Sequence, residues 1–284
     1  MVKFSRIVAG TMRWGKWGKN FTTQEYIERI ETSVNNSITT FDHADIYGDY
    51  TTEIEFGNAF QLSSMKREHV QFISKCGIQY PCENNASRLK HYDYSKQHIR
   101  QSVEKSLINL KTDYLDALLL HRPSPLMNSE EIGEVISELK NEGKLLHLGV
   151  SNFTQTQIEL IEKHTVVEIN QIECSLSQLN AMKNGLLDAH QVKSILTMAW
   201  RPLGLVFENN SNIKTSVLRM ANDYGCSADV LLLAWLLKHP ASIHPVIGTS
   251  NLERIAMANK ALEIEMSTED WFGLFVESQG HMVP

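Results

Sequence analysis

The sequence predicts an α/β fold: a closed barrel of eight parallel strands with their following helices, the (β/α)8 or TIM architecture, plus one extra C-terminal helix. Three observations predict it. Short apolar, β-branched runs alternate with longer amphipathic segments from end to end, and eight such runs fit within 284 residues. No stretch rich in Pro, Gly and Ser divides the chain, so residues 1–284 read as one domain. The turn after the first strand, Ala9-Gly10-Thr11-Met12, does not spell GxGxxG, which disfavours an open dinucleotide-binding sheet.

In chain order, strands are expected at Ser5–Ala9, Thr39–Phe41, Val70–Ser74, Ala117–Leu120, Leu145–Val150, Val166–Gln171, Ile195–Ala199 and His244–Ile247. Each is short, apolar and bounded by Gly, Pro, Asn or charge. Between them, Thr23–Asn35 opens at Thr22 or Thr23 as N-cap and carries Tyr26, Ile27, Ile30 and Val34 at helical spacing. Ser95–Leu110 places Ile99, Val103, Leu107 and Leu110 on one face. Ser129–Glu142 carries Ile132, Val135, Ile136 and Leu139, then stops at Gly143. Thr154–Lys163, Asn212–Asp223, Ser227–Lys238 and Leu252–Ala258 follow the same grammar, and Ser267–Ser278 is the extra helix. One long loop, Cys76 to Tyr94, has little periodicity, and a loop of that length in a compact domain is usually functional.

Composition excludes several roles. The formal charge is −6 and no basic run occurs, so a nucleic-acid partner has no electrostatic footprint. The longest apolar run, Val230–Leu237, is far short of the roughly twenty residues a membrane span needs. Met1 to Gly10 has no signal-type apolar region, so a cytoplasmic protein is expected. Cys76, Cys82, Cys174 and Cys226 form no CxxC pair and no zinc spacing; reduced thiols and no metal are expected.

A barrel of this kind places its chemistry at the C-terminal ends of its strands. There stand Asp42, His43, Asp45 and Tyr47 after the second strand, Lys75 after the third and His121 after the fourth. Ser151 and Asn152 follow the fifth, Gln171 ends the sixth, Trp200 the seventh, and Gly248, Thr249 and Ser250 follow the eighth. Singly, each has an ordinary explanation: a solvated lysine, a turn aspartate, a satisfied core histidine, a rim tyrosine. Together, on consecutive strands of one barrel, they point to a site.

These residues also carry a resemblance. Phe41-Asp42-His43-Ala44-Asp45-Ile46-Tyr47-Gly48 resembles the aldo/keto reductase signature FDxAxxYG. Ile73-Ser74-Lys75 resembles that family's catalytic-lysine strand, and Leu118 to Pro123 its LxxHxP strand. Leu148 to Phe153 is similar to GVSNF, Ile169 to Glu173 to NQxE, and Pro202-Leu203-Gly204 after Trp200 to YSPLG. The order matches from Gly10 to about Arg254, and the tail Ser278 to His281 is similar to a bacterial branch of NADP-dependent oxidoreductases.

The resemblance implies a catalytic tetrad of Asp42, Tyr47, Lys75 and His121 that reduces an aldehyde or ketone with hydride from NADP(H). The physical logic agrees. When hydride reaches a carbonyl carbon, negative charge grows on the oxygen, and a donor must stabilise it and deliver a proton. Tyr47 suits that role; the Lys75 ammonium should lower its pKa from about 10, and Asp42 should keep Lys75 charged. His121 would hydrogen-bond the carbonyl oxygen. The cofactor contacts implied are Asp42 with Gly10, Thr11 and Met12 beside the ring, and Ser151, Asn152 and Gln171 on the carboxamide. Trp200 would stack on the ring, Leu203-Gly204 would offer backbone N–H groups to the pyrophosphate, and Gly248-Thr249-Ser250 with Arg254 would hold the 2′-phosphate. No lysine stands near Gly248, and Arg254 to Asn259 lacks the expected Glu, which leaves the adenine contacts open. Substrate should meet Tyr47, His121 and loop residues: Trp14 above all, with Trp17, Tyr50, the Cys76–Tyr94 loop, Ser124–Met127 and Phe207 as further candidates. The family resemblance implies a monomer. Two rivals stay open: a barrel lyase or aldolase using Lys75 as a Schiff-base nucleophile, and a non-catalytic NADPH-binding subunit that senses redox state.

Overall fold

The computed structural model describes residues 4–208 and 212–284. Its strands are β1 (Val8–Gly10), β2 (Thr40–Asp42), β3 (Gln71–Cys76), β4 (Ile78–Gln79), β5 (His91–Tyr92), β6 (Leu115–Leu120), β7 (Leu145–Ser151), β8 (Ile169–Glu173), β9 (Leu196–Trp200) and β10 (His244–Ile247). Its helices are α1 (Thr23–Asn35), the single turn α2 (Tyr47–Tyr50), α3 (Thr52–Leu62), α4 (Lys96–Leu110), α5 (Ser129–Asn141), α6 (Gln155–Glu162), α7 (Asn180–Lys183), α8 (Leu186–Lys193), α9 (Asn212–Asp223), α10 (Ala228–Leu237), α11 (Leu252–Met257) and α12 (Thr268–Gln279). The barrel closes in the order β1-β10-β9-β8-β7-β6-β3-β2, every pair parallel. This is the predicted (β/α)8 fold; β4 and β5 form a separate antiparallel hairpin inside the long loop.

Strand side chains alternate, and that parity builds the site. Phe4, Val8, Ile73, Ala117, Leu119, Ile169, Met198 and Val246 form the inner core cluster of the barrel. Two residues after Val8, Ile73, Leu119, Ile169, Met198 and Val246 come Gly10, Lys75, His121, Gln171, Trp200 and Gly248. These share the inward phase one layer nearer the C-terminal mouth. The opposite phase, including Phe41, Phe72, Leu118, Leu120 and Leu148, packs outward in the larger cluster with the helices. All six residues of β6 are buried, as a parallel strand covered on both faces requires.

Helix starts are capped by side-chain oxygens, at residues read from sequence for α1 and α4 and at Asn128 and Asn251, which were not, for α5 and α11. Thr22, not Thr23, caps α1 in a reciprocal box with Glu25, and Thr154 does the same with Gln157 for α6. Ser95, Asn128, Asn251 and Ser267 cap α4, α5, α11 and α12. The last of these docks by stacking Trp271 on Trp235, with ring centroids 4.9 Å apart and each indole N–H donating to the other's carbonyl.

Four helices among the described residues were not anticipated: the single turns α2 and α7, and the longer α3 and α8. The buried face of α3 carries Thr52, Glu53 and Gly57 among its apolar residues, so no clean stripe marks it. A Cβ at Gly57 would lie 2.0 Å from the Asn109 carbonyl oxygen, so α4 approaches where only glycine fits. In α8, eight residues bury only Leu187 and His190. Strands β1 and β8 also start later than expected, at Val8 and Ile169.

Candidate active site

Lys75 sits at the bottom of the mouth, 1% exposed. Its ammonium donates to Asp42 Oδ2 at 2.7 Å, to the His43 carbonyl at 2.8 Å and to Tyr47 Oη at 3.0 Å, so all three N–H groups are satisfied. Burying an unpaired ammonium costs several kcal/mol, and Asp42 is the compensating charge. The other Asp42 oxygen accepts from Gln171 Nε2 at 2.8 Å, which locks the carboxylate from across the barrel. Burial pulls the Lys75 pKa down, but Asp42 and Tyr47 outweigh it and hold the amine above the ordinary lysine value. Lys75 is therefore a cation near neutral pH, which disfavours its use as a Schiff-base nucleophile.

Tyr47 differs from the expectation in one respect. Lys75 does favour its phenolate, but burial is the larger effect and Asp42 adds to it, so the phenol is held above its ordinary value. The side chain is a proton carrier near neutral pH. Its ring lies 6.1 Å from that of His121, centroid to centroid. Burial, with Lys75, Arg122 and Lys90, pushes His121 well below the usual imidazole range, so it is neutral. Among the described residues His121 Nδ1 is buried without a partner, which leaves Nε2 as the nitrogen that can meet a substrate.

Ser151, Asn152, Gln171 and Trp200 gather on the opposite wall. Asn152 adopts a left-handed backbone (φ 60°), which asparagine tolerates better than most residues. Its side chain donates to Ser151 Oγ at 2.9 Å and accepts from Trp200 Nε1 at 3.0 Å. This fixes the indole at the rim.

Sequence reading misassigned several neighbours. Trp14 does not line the mouth: it is 1% exposed and packs among Tyr26, Phe41 and Phe56. Trp17 takes that place, 6.2 Å from the Tyr47 ring and 5.4 Å from Tyr80, its indole N–H held by Asp49 at 2.7 Å. Thr11 is fully buried, with its hydroxyl engaged by the Asp42 carbonyl and His43 Nδ1, so it shapes the wall without offering a free donor. Gly204 is a turn residue (φ 58°), and a Cβ there would collide with Ser177 Oγ at 2.0 Å. Its N–H closes the turn on Arg201 at 2.8 Å and is not free for a pyrophosphate; the Leu205 N–H goes to Ser177 Oγ, while the Leu203 N–H meets no protein acceptor among the described residues. Cys76 is buried and its thiol pKa is pushed far up, which makes it unreactive.

At the far rim, Gly248 has open space where a side chain would stand. Thr249 Oγ1 accepts the Asn251 N–H, and the Ser250 carbonyl is tied to Arg29 at 3.0 Å. Arg254 is exposed, with Asp229 Oδ2 at 3.6 Å. Met12 is 44% exposed beside buried Gly10. The strongest omission is Arg122, whose guanidinium reaches Ser151; its place directly after His121 was the available signal.

A buried lysine bridging a carboxylate and a phenol, with a neutral histidine beside them, matches the signature order read from sequence. The aldo/keto reductase family model covers residues 6–273. The chain belongs to the aldo/keto reductase family. An uncharacterized oxidoreductase of Bacillus subtilis, YcsN, is 42% identical over all of this chain and 97% of its own length. A 6-dehydroglucose reductase of Agrobacterium fabrum is 38% identical, covering 99% of this chain and 97% of its own. The solved aldo-keto reductase of Klebsiella pneumoniae in complex with NADPH superposes with a TM-score of 0.79 at 26% identity, over 96% of this chain and 94% of that one. As an aldo/keto reductase, the chain is an oxidoreductase built on the TIM barrel.

Proposed function

We propose that this chain, acting as one barrel domain over residues 1–284, is an NADPH-dependent reductase that converts aldehydes or ketones to alcohols. The observation that carries the reading is the Lys75 ammonium held between Asp42 Oδ2 and Tyr47 Oη at 2.7 and 3.0 Å. The residues present fit the nicotinamide end of the cofactor. Ser151 Oγ, buried and accepting from Asn152 and Arg122, keeps its own O–H to donate, Trp200 offers a ring face, and Gln171 Oε1 has no protein partner among the described residues. When bound, the cofactor supplies the hydride. Asp42, Gly10 and Met12 would border the ring, Gly248 leaves room beside the far rim, and Arg254 would be the cation for the 2′-phosphate.

The chain's own groups do the rest. His121 Nε2 orients the carbonyl oxygen, and as a neutral imidazole it does so without titrating near neutral pH. Tyr47 is protonated and delivers its proton as charge grows on that oxygen. The phenolate left behind faces the Lys75 ammonium, which stabilises it, and Asp42 with Gln171 keeps the ammonium in place. Trp17 and Tyr80 close one side of the mouth.

The Agrobacterium fabrum relative, a 6-dehydroglucose reductase, supports a polyhydroxylated carbonyl compound as substrate class. Among the described residues no helix is long and apolar enough to cross a membrane, and the net charge of −6 supports a small-molecule partner over a nucleic acid. A cytoplasmic monomer is the proposed setting, and size-exclusion chromatography tests the monomer. Purified protein given NADPH and a panel of aldehydes and ketones tests the reading. Consumption of reduced nicotinamide with matching alcohol formation is expected. Tight NADPH binding with no consumption across the panel would leave the non-catalytic, redox-sensing subunit as the better reading.

A further inference from the structure

Arg122 is a cation at the mouth that the proposed chemistry does not use. Its backbone is pinned from both sides by Tyr94: the tyrosine hydroxyl accepts the Arg122 N–H at 3.0 Å and donates to the Arg122 carbonyl. The guanidinium is thereby set on the rim next to His121. One nitrogen, Nη1, donates to the His121 carbonyl at 2.8 Å and to Ser151 Oγ at 3.1 Å. The guanidinium carbon lies 5.7 Å from the Trp200 ring centroid.

The other edge is idle. Among the described residues, Nε and Nη2 of Arg122 bond to no protein atom, no carboxylate lies within ion-pairing distance, and the side chain is half-buried. By contrast Arg67 and Arg100, which are similarly sheltered, meet Asp116, Glu138 and Glu142 at 2.6 to 2.8 Å. A half-buried arginine without a counter-charge keeps a planar pair of donors that matches two oxygens side by side. Arg122 is near enough to the reacting groups for its charge to favour neutral His121 and the Tyr47 phenolate. Because Arg122 directly follows His121 and holds its carbonyl, an oxygen taken by the free edge would sit beside the histidine that meets the substrate carbonyl.

We propose that Arg122 is a specificity-determining residue that selects carbonyl compounds carrying an oxygen substituent on the carbon next to the carbonyl, a hydroxyl or a carboxylate, by donating to it from Nε and Nη2. This rests on the carbonyl-reductase reading and narrows it. An unsubstituted aldehyde leaves both donors with water alone, so discrimination comes from hydrogen bonds the substrate makes or fails to make.

The test compares three aldehydes with NADPH: propanal, lactaldehyde, which differs from propanal by one hydroxyl, and glyoxylate, which carries a carboxylate. The readout is the ratio of kcat/KM for each oxygenated aldehyde to that for propanal. Effects of a substitution on cofactor binding or on Tyr47 cancel in this ratio. Wild type is expected to favour at least one oxygenated aldehyde by about 10-fold or more, the scale of a charge-assisted hydrogen bond. Preference for lactaldehyde assigns the hydroxyl, and preference for glyoxylate the carboxylate. Arg122→Met should bring the ratio close to one, and Arg122→Lys, which keeps charge but loses the planar fork, should fall between. A wild type without preference, or a ratio that Arg122→Met and Arg122→Lys leave unchanged, overturns the proposal. Wild type that consumes no NADPH with any of the three overturns the reductase reading itself, a separate failure.

Discussion

Asp42→Asn isolates the electrostatic core of the site. Lys75 is 1% exposed and Asp42 3% exposed, and Asp42 is the only carboxylate paired with the ammonium among the described residues. The substitution removes that charge while the His43 carbonyl and Tyr47 remain at 2.8 and 3.0 Å. It also breaks the second bond. An asparagine has one oxygen for two donors, Lys75 Nζ and Gln171 Nε2, so one of them would face an NH2 group. Breaking a buried pair from one side costs about 3–5 kcal/mol, a large share of a typical domain stability of about 5–15 kcal/mol. Because Lys75 is held above its ordinary pKa in the folded chain, its pairing contributes fully below the unfolded value of about 10.4 and is lost only as pH rises through the folded one. The loss should therefore be complete near neutral pH. Urea unfolding of wild type, Asp42→Asn, Lys75→Met and the double variant measures it as a double-mutant cycle. The double variant should recover much of the stability, since it buries no charge, yet stay inactive. A coupling below about 0.5 kcal/mol, within the scatter of independent sites, would refute the claim that this pair carries the site.

Three further outcomes follow from the same geometry. With Tyr47 held above the ordinary phenol value and His121 far below the ordinary imidazole value, kcat/KM for carbonyl reduction should stay flat from about pH 6.5 to 9 and fall only as pH rises through the Tyr47 pKa; an inflection near pH 6.5 would show His121 titrating. Arg254→Ala should weaken NADPH much more than NADH, whereas Asp229→Asn, which removes the acid 3.6 Å from Arg254, should tighten NADPH by a few-fold; equal effects on both cofactors would place the phosphate elsewhere. Trp271→Ala should destabilise the fold by about 3–5 kcal/mol through loss of the stack on Trp235, with the NADPH affinity of the folded fraction unchanged.

The barrel was legible because parallel strands covered on both faces must be short apolar runs, and eight of them stand out. Lys75 and His121 were legible because each stands two residues after an inward-facing strand residue, Ile73 and Leu119, whereas Tyr47 lies on the turn α2 beyond β2 and was read from the signature resemblance. What sequence could not resolve depends on contacts between distant segments. Trp14 and Trp17 share one loop, and only the packing of Tyr26, Phe41 and Phe56 decides which indole is swallowed by the core. Helix α3 hid because Gly57 and Glu53, poor core residues by composition, answer to Asn109 and Ser74 on other elements. Thr11 and Gly204 looked like cofactor contacts until their hydrogen-bonding groups proved to be engaged by Asp42, His43 and Arg201. That burial outweighs Lys75 at Tyr47 has the same origin, since desolvation depends on the whole surrounding wall.

Replacing Tyr47 by Phe deletes a single oxygen atom, and turnover by that variant is the sharpest check on the proposed chemistry. Carbonyl reduction should drop by about 10²–10⁴-fold while NADPH still quenches the tryptophan fluorescence with nearly wild-type affinity. Undiminished turnover would show that the proton reaches the product oxygen from some other group.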